Sequence, residues 1–314
     1  MRIAIIGQQD FGKAVLNAFL ERGDEVAAVF SAPEKPGARP DALRLGAQEK
    51  GVPVHQFPNY TSAEAQETLR SLKLDIGIMA YVLLFAPQDF VNIPKHGMIQ
   101  FHPSLLPLHR GPSSINWPIM MGRKTTGLTI FRPNDGLDEG PVVLQKEVAI
   151  GPDDTLGSVY FDKIFPAGVA ALLEAADLVL AGKAKETIQD EAKATYEGWV
   201  RDAESRLNWA NHVDTTYNII RGCNPAPGAW TTFKSGEEEQ KLYLFDAKKI
   251  MAPTFGAVRG KKLGEVVSAG PEGLRIHAQG GFVEVSRLRL GDGAKVKSTE
   301  LEIPAGTILG VSDA

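Results

Sequence analysis

The first eighty residues alternate short apolar runs with amphipathic stretches, and that rhythm leaves few folds open. Residues 2–6 read as a strand, and residues 11–22 as a helix with Phe11, Val15, Ala18 and Phe19 on one face. Residues 25–30 read as a second strand. The pattern repeats with a helix at 41–50, a strand at 52–54, a helix at 62–72 and a strand at 74–80. Strands that alternate with helices predict a doubly wound α/β domain, a mostly parallel sheet covered on both faces. Further along, Pro152-Asp153-Asp154-Thr155 supplies capping side chains for helices at 156–164 and 167–181, interrupted at Pro166. The polar stretch 182–197 has little periodicity and reads as an interdomain linker. A helix at 211–221 then precedes short strands at 228–233, 241–245, 264–267, 274–278 and 282–288, separated by glycine turns, which predict a small β-barrel. Domains at 1–197 and 198–314 suit a chain of 314 residues, at roughly 150 residues per domain.

The first strand-to-helix turn reads Gly7-Gln8-Gln9-Asp10-Phe11-Gly12, without the middle glycine of Gly-x-Gly-x-x-Gly. Phe30 and Ser31 stand where a ribose-binding acid would end the second strand, so no NAD is expected on this chain. The opening apolar run is too short for a signal peptide, and none approaches the ~18 residues of a membrane span. With Cys223 as its single cysteine, the chain fits a reducing, cytoplasmic setting with no membrane partner. The net charge is −4, yet residues 241–314 hold eleven Lys and Arg against eight Asp and Glu. A basic C-terminal part can meet phosphate, although a surplus of three is also what an ordinary solvated face carries.

The chemistry concentrates in Gln100-Phe101-His102-Pro103-Ser104-Leu105-Leu106-Pro107-Leu108-His109-Arg110-Gly111, followed by Asp135-Gly136-Leu137-Asp138-Glu139-Gly140. Residues 97–101 read as a strand, and the prolines after it cannot continue a sheet, so His102 is expected where strand becomes loop. Asp138 lies in a glycine-bracketed turn between the apolar runs 128–131 and 142–145. Taken alone, this leaves two readings open: a catalytic pair at neighbouring strand ends, or two side chains that each satisfy a loop backbone. His96, His102 and His109 have no usual metal-ligand spacing, so no metal is expected. Ser113 and Ser114 are expected to cap a helix running to Met121, and they sit in no Gly-x-Ser-x-Gly elbow.

In content and order these residues resemble the 10-formyltetrahydrofolate-dependent formyltransferases, whose motifs read Asn-x-His-Pro/Ala-Ser-Leu-Leu-Pro and then Leu-Asp-Thr-Gly. Asn224-Pro225-Ala226-Pro227-Gly228-Ala229-Trp230 is similar to a signature of their C-terminal domain. The strings Ser114-Ile115-Asn116-Trp117, Leu144-Gln145-Lys146-Glu147 and Ala194-Thr195-Tyr196-Glu197-Gly198 resemble the branch that includes the hydrolase part of 10-formyltetrahydrofolate dehydrogenase. The resemblance spans nearly the whole chain.

It implies a formyltransferase domain followed by an OB-like domain, with 10-formyltetrahydrofolate as co-substrate. It further implies that His102 polarises the formyl oxygen and that Asp138 orients it and handles protons. Gln100 departs from the family's Asn. It keeps the amide and adds a methylene, so it either reaches the oxyanion from a shifted angle or lines the pocket. Met79, Ala80, Tyr81, Val82, Leu83 and Leu84 are similar to the family's pterin-binding loop, with the turn Asn134, Asp135, Gly136 to Asp138 as the opposite wall. Arg110 and Gly111 would lie toward the acceptor side.

The acceptor stays open among water or a small molecule, methionyl-tRNA, and a nucleotide-linked amino sugar. A non-catalytic folate-binding protein is the rival that Gln100 motivates. In the tRNA-acting branch an insertion after the second strand holds the acceptor stem. Here the counterpart, residues 31–41, carries Glu34, Lys35, Arg39 and Asp41, a net charge of zero, which disfavours RNA.

Overall fold

The computed structural model describes residues 1–235 and 238–310. In chain order the elements are β1 Arg2–Gly7, α1 Gln9–Glu21, β2 Glu25–Ser31, α2 Ala42–Glu49, β3 Val54–Gln56, α3 Ala63–Ser71, β4 Ile76–Ala80, α4 Gln88–Val91, β5 Met98–His102, α5 Asn116–Met120, β6 Thr125–Phe131 and β7 Val142–Ala149. There follow α6 Leu156–Ser158, α7 Phe165–Leu180, α8 Asp202–Ser205, α9 Val213–Gly222, β8 Ala229–Ser235, β9 Glu238–Met251, β10 Val266–Gly270, β11 Gly273–Ala278, β12 Gly281–Leu290 and β13 Val296–Lys297. The chain resolves into two compact units. One comprises Met1–Gly111, Gly127–Val148 and Phe161–Tyr196; the other comprises Pro112–Thr126, Ala149–Tyr160 and the chain from Glu197 onward. A single cut in sequence cannot express this division, because two short excursions of the first half cluster with the C-terminal residues.

The first unit carries a seven-stranded sheet in the order β3-β2-β1-β4-β5-β6-β7. Strands β3 to β5 run parallel with their neighbours, and β6 turns antiparallel to β5. Burial of every residue of β4 and of Ile3 to Gly7 in β1 follows from cover on both faces. Helix α1 buries Phe11, Val15, Leu16 and Phe19 on one side, and Asp41 and Ser62 cap α2 and α3 through their side-chain oxygens. Because β1 pairs β2 on one side and β4 on the other, the chain reverses direction at the carboxyl end of β1, the usual place for a ligand crevice in such a sheet. Gly7 is obligatory there, since a Cβ would fall 1.8 Å from the carbonyl oxygen of Ala80.

Phe101 anchors β5. Its ring lies 4.3 Å from that of Phe11, and a Cβ on Gly168 would come within 2.5 Å of it. Alternation along the strand then sends Gln100 and His102 to the opposite face. Removing the ring, as in Phe101→Ala, is expected to cost about 3–5 kcal/mol.

The second unit carries an antiparallel sheet in the order β10-β11-β12-β9-β8, with β13 paired to β12. Residues 306–310 bond to both edges: the amide of Val266 donates to the Thr307 carbonyl, and the amide of Gly310 to the Thr232 carbonyl. The open ends of the sheet are thereby joined, as a small barrel requires. Its core gathers Trp209, Tyr217, Ile220, Leu242, Leu244, Ile276 and Val285. Cys223 belongs to this core, and burial pushes its thiol up to about 12, which removes it from thiolate chemistry.

Four sequence expectations shift. β3 begins two residues late. The helices expected at 156–164 and 167–181 are not interrupted at Pro166: Val159–Ile164 wind as a π-helix directly into α7, and the proline sits in the first turn of α7, where an amide hydrogen is dispensable. Ser113 and Ser114 do not cap α5, whose cap position is held by Ile115 without a side-chain hydrogen bond; Ser113 has φ +59° and accepts the amide of Val200 instead. The stretch 182–197 is no plain linker, because residues up to Tyr196 pack within the first unit.

Candidate active site

His102 is the last residue of β5, paired with Thr129 of β6, and Pro103 ends the ladder because it has no amide hydrogen. The loop that follows is stapled to the sheet. Thr129 Oγ1 donates to the Ser104 carbonyl at 2.7 Å and accepts the Leu106 amide at 3.1 Å, while Gln145 Nε2 donates to the Leu106 carbonyl at 2.6 Å. The loop bends back so that the carbonyl oxygen of His109 lies 2.9 Å from His102 Nε2. A carbonyl only accepts, so Nε2 carries a proton and donates it there. The nitrogen left for chemistry is Nδ1.

Asp138 Oδ2 stands 3.5 Å from that Nδ1, and the two side chains are 9 % and 8 % exposed. The same oxygen accepts the Gly111 amide at 2.9 Å. Asp138 holds this place from a left-handed backbone, φ +57°, in a turn where Gly140 is required: a Cβ would lie 1.6 Å from the Arg132 carbonyl oxygen. At 3.5 Å the pair is beyond a direct hydrogen bond, so Nδ1 stays open to a third atom beside a carboxylate that can take or return a proton.

Gln100 shares the His102 face of β5, half-buried between Met79 of β4 and Phe131 of β6. Beyond Ala80 the loop alternates: Val82 and Leu84 pack against the core, while Leu83 and Phe85 are each 59 % exposed. Tyr81, at φ +62°, makes the bend. Gly7, Gln8, Ala32, Tyr60 and residues 82–84 line a narrow depression at the switch point of the sheet, closed too tightly to admit a water molecule. Across from it, Asn134 accepts the Gly136 amide at 3.0 Å, which fixes the 134–138 turn, and Leu137 projects outward. Gln88 ties the two walls by donating to the Pro133 carbonyl at 3.0 Å. Met79, Ala80, Asn134 and Asp135 thus stand at the expected strand end and turn. Among the described residues no group of three or more His, Cys, Asp or Glu is arranged to hold a metal ion.

Arg110 requires a correction. It was expected on the acceptor side, but its side chain is fully buried. Glu191 takes Nη1 and Nη2 at 2.8 and 2.6 Å, Gln189 Oε1 takes Nε and Nη2 at 3.2 and 2.9 Å, and the Tyr196 hydroxyl takes Nη1. The Glu191 hydrogen bonds, ahead of the cost of burial, hold the guanidinium above its ordinary pKa and lower that of Glu191. No donor remains for a substrate. Gly111 contributes through its amide alone.

Gln189, Glu191 and Thr195 were absent from the sequence-based site. The clue available was chemical: residues 187–196 are rich in side chains that bond to backbone, and 194–198 was one of the strings that carried the resemblance.

Residues 1–175 match the model of the formyl transferase family, and residues 200–302 match the formyl transferase C-terminal domain. The mitochondrial 10-formyltetrahydrofolate dehydrogenase of Mus musculus is 40 % identical over 235 residues, which is 73 % of this chain and 25 % of the relative. The chain therefore spans about a quarter of the length of the dehydrogenases it matches. The methionyl-tRNA formyltransferase of Geotalea uraniireducens is 31 % identical over 323 residues, 100 % of this chain and 99 % of that protein. Among solved structures, HypX from Aquifex aeolicus in complex with tetrahydrofolic acid superposes with a TM-score of 0.68 at 20 % identity, over 96 % of this chain and 46 % of HypX.

Proposed function

This chain belongs to the formyl transferase family, and on that premise we propose that it takes the formyl group of 10-formyltetrahydrofolate and passes it to water or a small acceptor. The observation that carries the reading is the buried pair at the end of β5, with His102 Nε2 committed to a carbonyl and Nδ1 facing Asp138. Attack on the formyl carbon breaks its carbonyl π bond and builds negative charge on its oxygen. Protonated Nδ1 of His102 donates to that oxygen, and the Gln100 amide, on the same face, is the second donor. Asp138 receives the proton of the attacking water or amine. When the carbon–nitrogen bond breaks, that proton passes to the folate nitrogen, leaving tetrahydrofolate and either formate or a formylated amine. The Tyr81-to-Phe85 loop and the Asn134-to-Asp138 turn are the walls for the pterin, whose flat ring suits an apolar slot with backbone groups at its edge.

The test is to incubate the protein with 10-formyltetrahydrofolate in buffer alone, with a panel of small amines, and with charged initiator tRNA, reading tetrahydrofolate, formate and formylated product. Tetrahydrofolate release in any arm supports an enzyme; tight folate binding without release in all arms makes the chain a binding protein.

Transfer to methionyl-tRNA is a second reading, supported by the end-to-end likeness to such an enzyme and by the loop after β2. Both carboxylates counted in its net charge of zero are hydrogen-bonded within the fold. Burial opposes ionisation of Glu34, but hydrogen bonds from Gln56, the Asp41 amide and Arg44 outweigh it and hold the carboxyl at about 2. Asp41 caps α2. What the loop presents to solvent is Lys35 and Arg39, both exposed.

A further inference from the structure

We infer that residues 187–196 form a positioning strap that sets the His102 and Asp138 loops in register, with Gln189 the positioning residue for Asp138 and Thr195 for His102; the inference rests on the formyl-transfer reading. The strap enters by pairing Thr187 with Val142, amide to carbonyl in both directions at 2.8 and 2.9 Å. Gln189, 6 % exposed, then donates both hydrogens of its amide, one to the Asp138 carbonyl at 2.8 Å and one to the Gly140 carbonyl at 2.7 Å. Its orientation is forced. Arg110 has only donors, so it claims Gln189 Oε1 and turns the NH2 group toward the two carbonyls.

At its far end the strap grips the other loop. Thr195 Oγ1 accepts the His109 amide at 2.8 Å, its carbonyl accepts the Arg110 amide at 3.0 Å, and its amide donates to the Pro107 carbonyl at 3.1 Å. His109 is the residue whose carbonyl fixes His102 Nε2. One ten-residue segment therefore holds the backbone behind each member of the pair. Such support favours Asp138's position, because its left-handed conformation is uncommon for a residue with a side chain, even though aspartate tolerates it better than most. Without the Gln189 bonds the turn can relax and carry the carboxylate away from Nδ1, and a displacement of about 1 Å can cost on the order of a hundredfold in rate. Neither Gln189 nor Thr195 contacts the reacting atoms.

The experiment measures kcat and KM for 10-formyltetrahydrofolate, with thermal unfolding midpoints, on the full chain. In Gln189→Leu both donors are lost; Gln189→Glu keeps an acceptor for Arg110 and replaces the donors. Each is expected to lower kcat by roughly 10- to 100-fold with KM changed less than about twofold. Thr195→Val is expected to lower kcat, and Thr195→Ser, which restores the oxygen, to recover most of it. In an Asp138→Asn background Gln189→Leu is expected to add little, because the group it positions is already disabled. Unchanged kcat in either Gln189 variant overturns the strap, as does a rate loss that only tracks the unfolding midpoint, or failure of both Gln189 variants to fold. If the unmodified protein releases no tetrahydrofolate, the formyl-transfer reading falls and the strap with it. Turnover by the unmodified protein together with an indifferent Gln189 removes the strap alone.

Discussion

Nδ1 of His102 and Oδ2 of Asp138 face each other at 3.5 Å, while Nε2 of the same imidazole is committed to the His109 carbonyl at 2.9 Å. The ring is thereby held in one orientation with one working nitrogen. This asymmetry decides what each substitution should do.

His102→Ala and Asp138→Asn are each expected to lower turnover of 10-formyltetrahydrofolate by about a hundredfold or more, the usual consequence of removing a principal oxyanion donor or proton handler. Unfolding midpoints should stay close to the parent, because β5 is anchored by Phe101 on its other face. Steady-state kinetics with thermal melts checks both; near-normal turnover in either variant would remove the pair from the mechanism.

Gln100→Leu separates two roles for the family's Asn position. If the amide donates to the oxyanion, kcat should drop by roughly tenfold with little change in KM, since the interaction strengthens in the transition state. Gln100→Asn should be tolerated. An unaltered kcat in the Leu variant would make Gln100 part of the pocket wall.

A fragment of residues 1–197 should bind a folate analogue, because both pocket walls and the His102–Asp138 pair precede its end. A fragment of residues 1–182 should bind less tightly or turn over more slowly, since it lacks Gln189 and Thr195, which bond to the Asp138 and His109 backbones. Calorimetry and steady-state kinetics on the two fragments check this. Equal binding and turnover by both would show that the 187–196 segment is dispensable.

The acceptor is tested by charge. With water or a small amine as acceptor, Lys35→Ala with Arg39→Ala should leave kcat/KM within about twofold, and so should neutralising Lys248, Lys249, Lys261 and Lys262. Were tRNA the acceptor, losing the phosphate contacts would flatten the salt dependence of formylation by nearly one unit of slope each. Efficient, salt-sensitive formylation of methionyl-tRNA that these substitutions abolish would make tRNA the acceptor.

Much of the architecture is legible in the sequence. Period-two and period-3.6 patterns are local, so the strands and helices through Ala80 were read to within a few residues. The prolines after His102 and the glycines around Asp138 placed both at strand ends. Those are constraints that neighbouring residues impose on backbone angles, and a sequence states them directly.

Partnership across the chain was not legible. Nothing local distinguishes a polar linker from the segment 187–196, because its role depends on carbonyls at Pro107, Asp138 and Gly140 brought alongside it by the sheet. Arg110 was expected toward the acceptor side, and its burial was not legible for the same reason: it comes from Gln189, Glu191 and Tyr196, some eighty residues away. The zero charge of the loop after β2 was legible, but not that Arg44 and Gln56, outside the loop, bond to Glu34. The sequence by itself determined the elements and which residue types stand at their ends. Only the tertiary structure decided which of those residues remain free to act, because a hydrogen-bonding group is spent or available according to what the fold sets beside it.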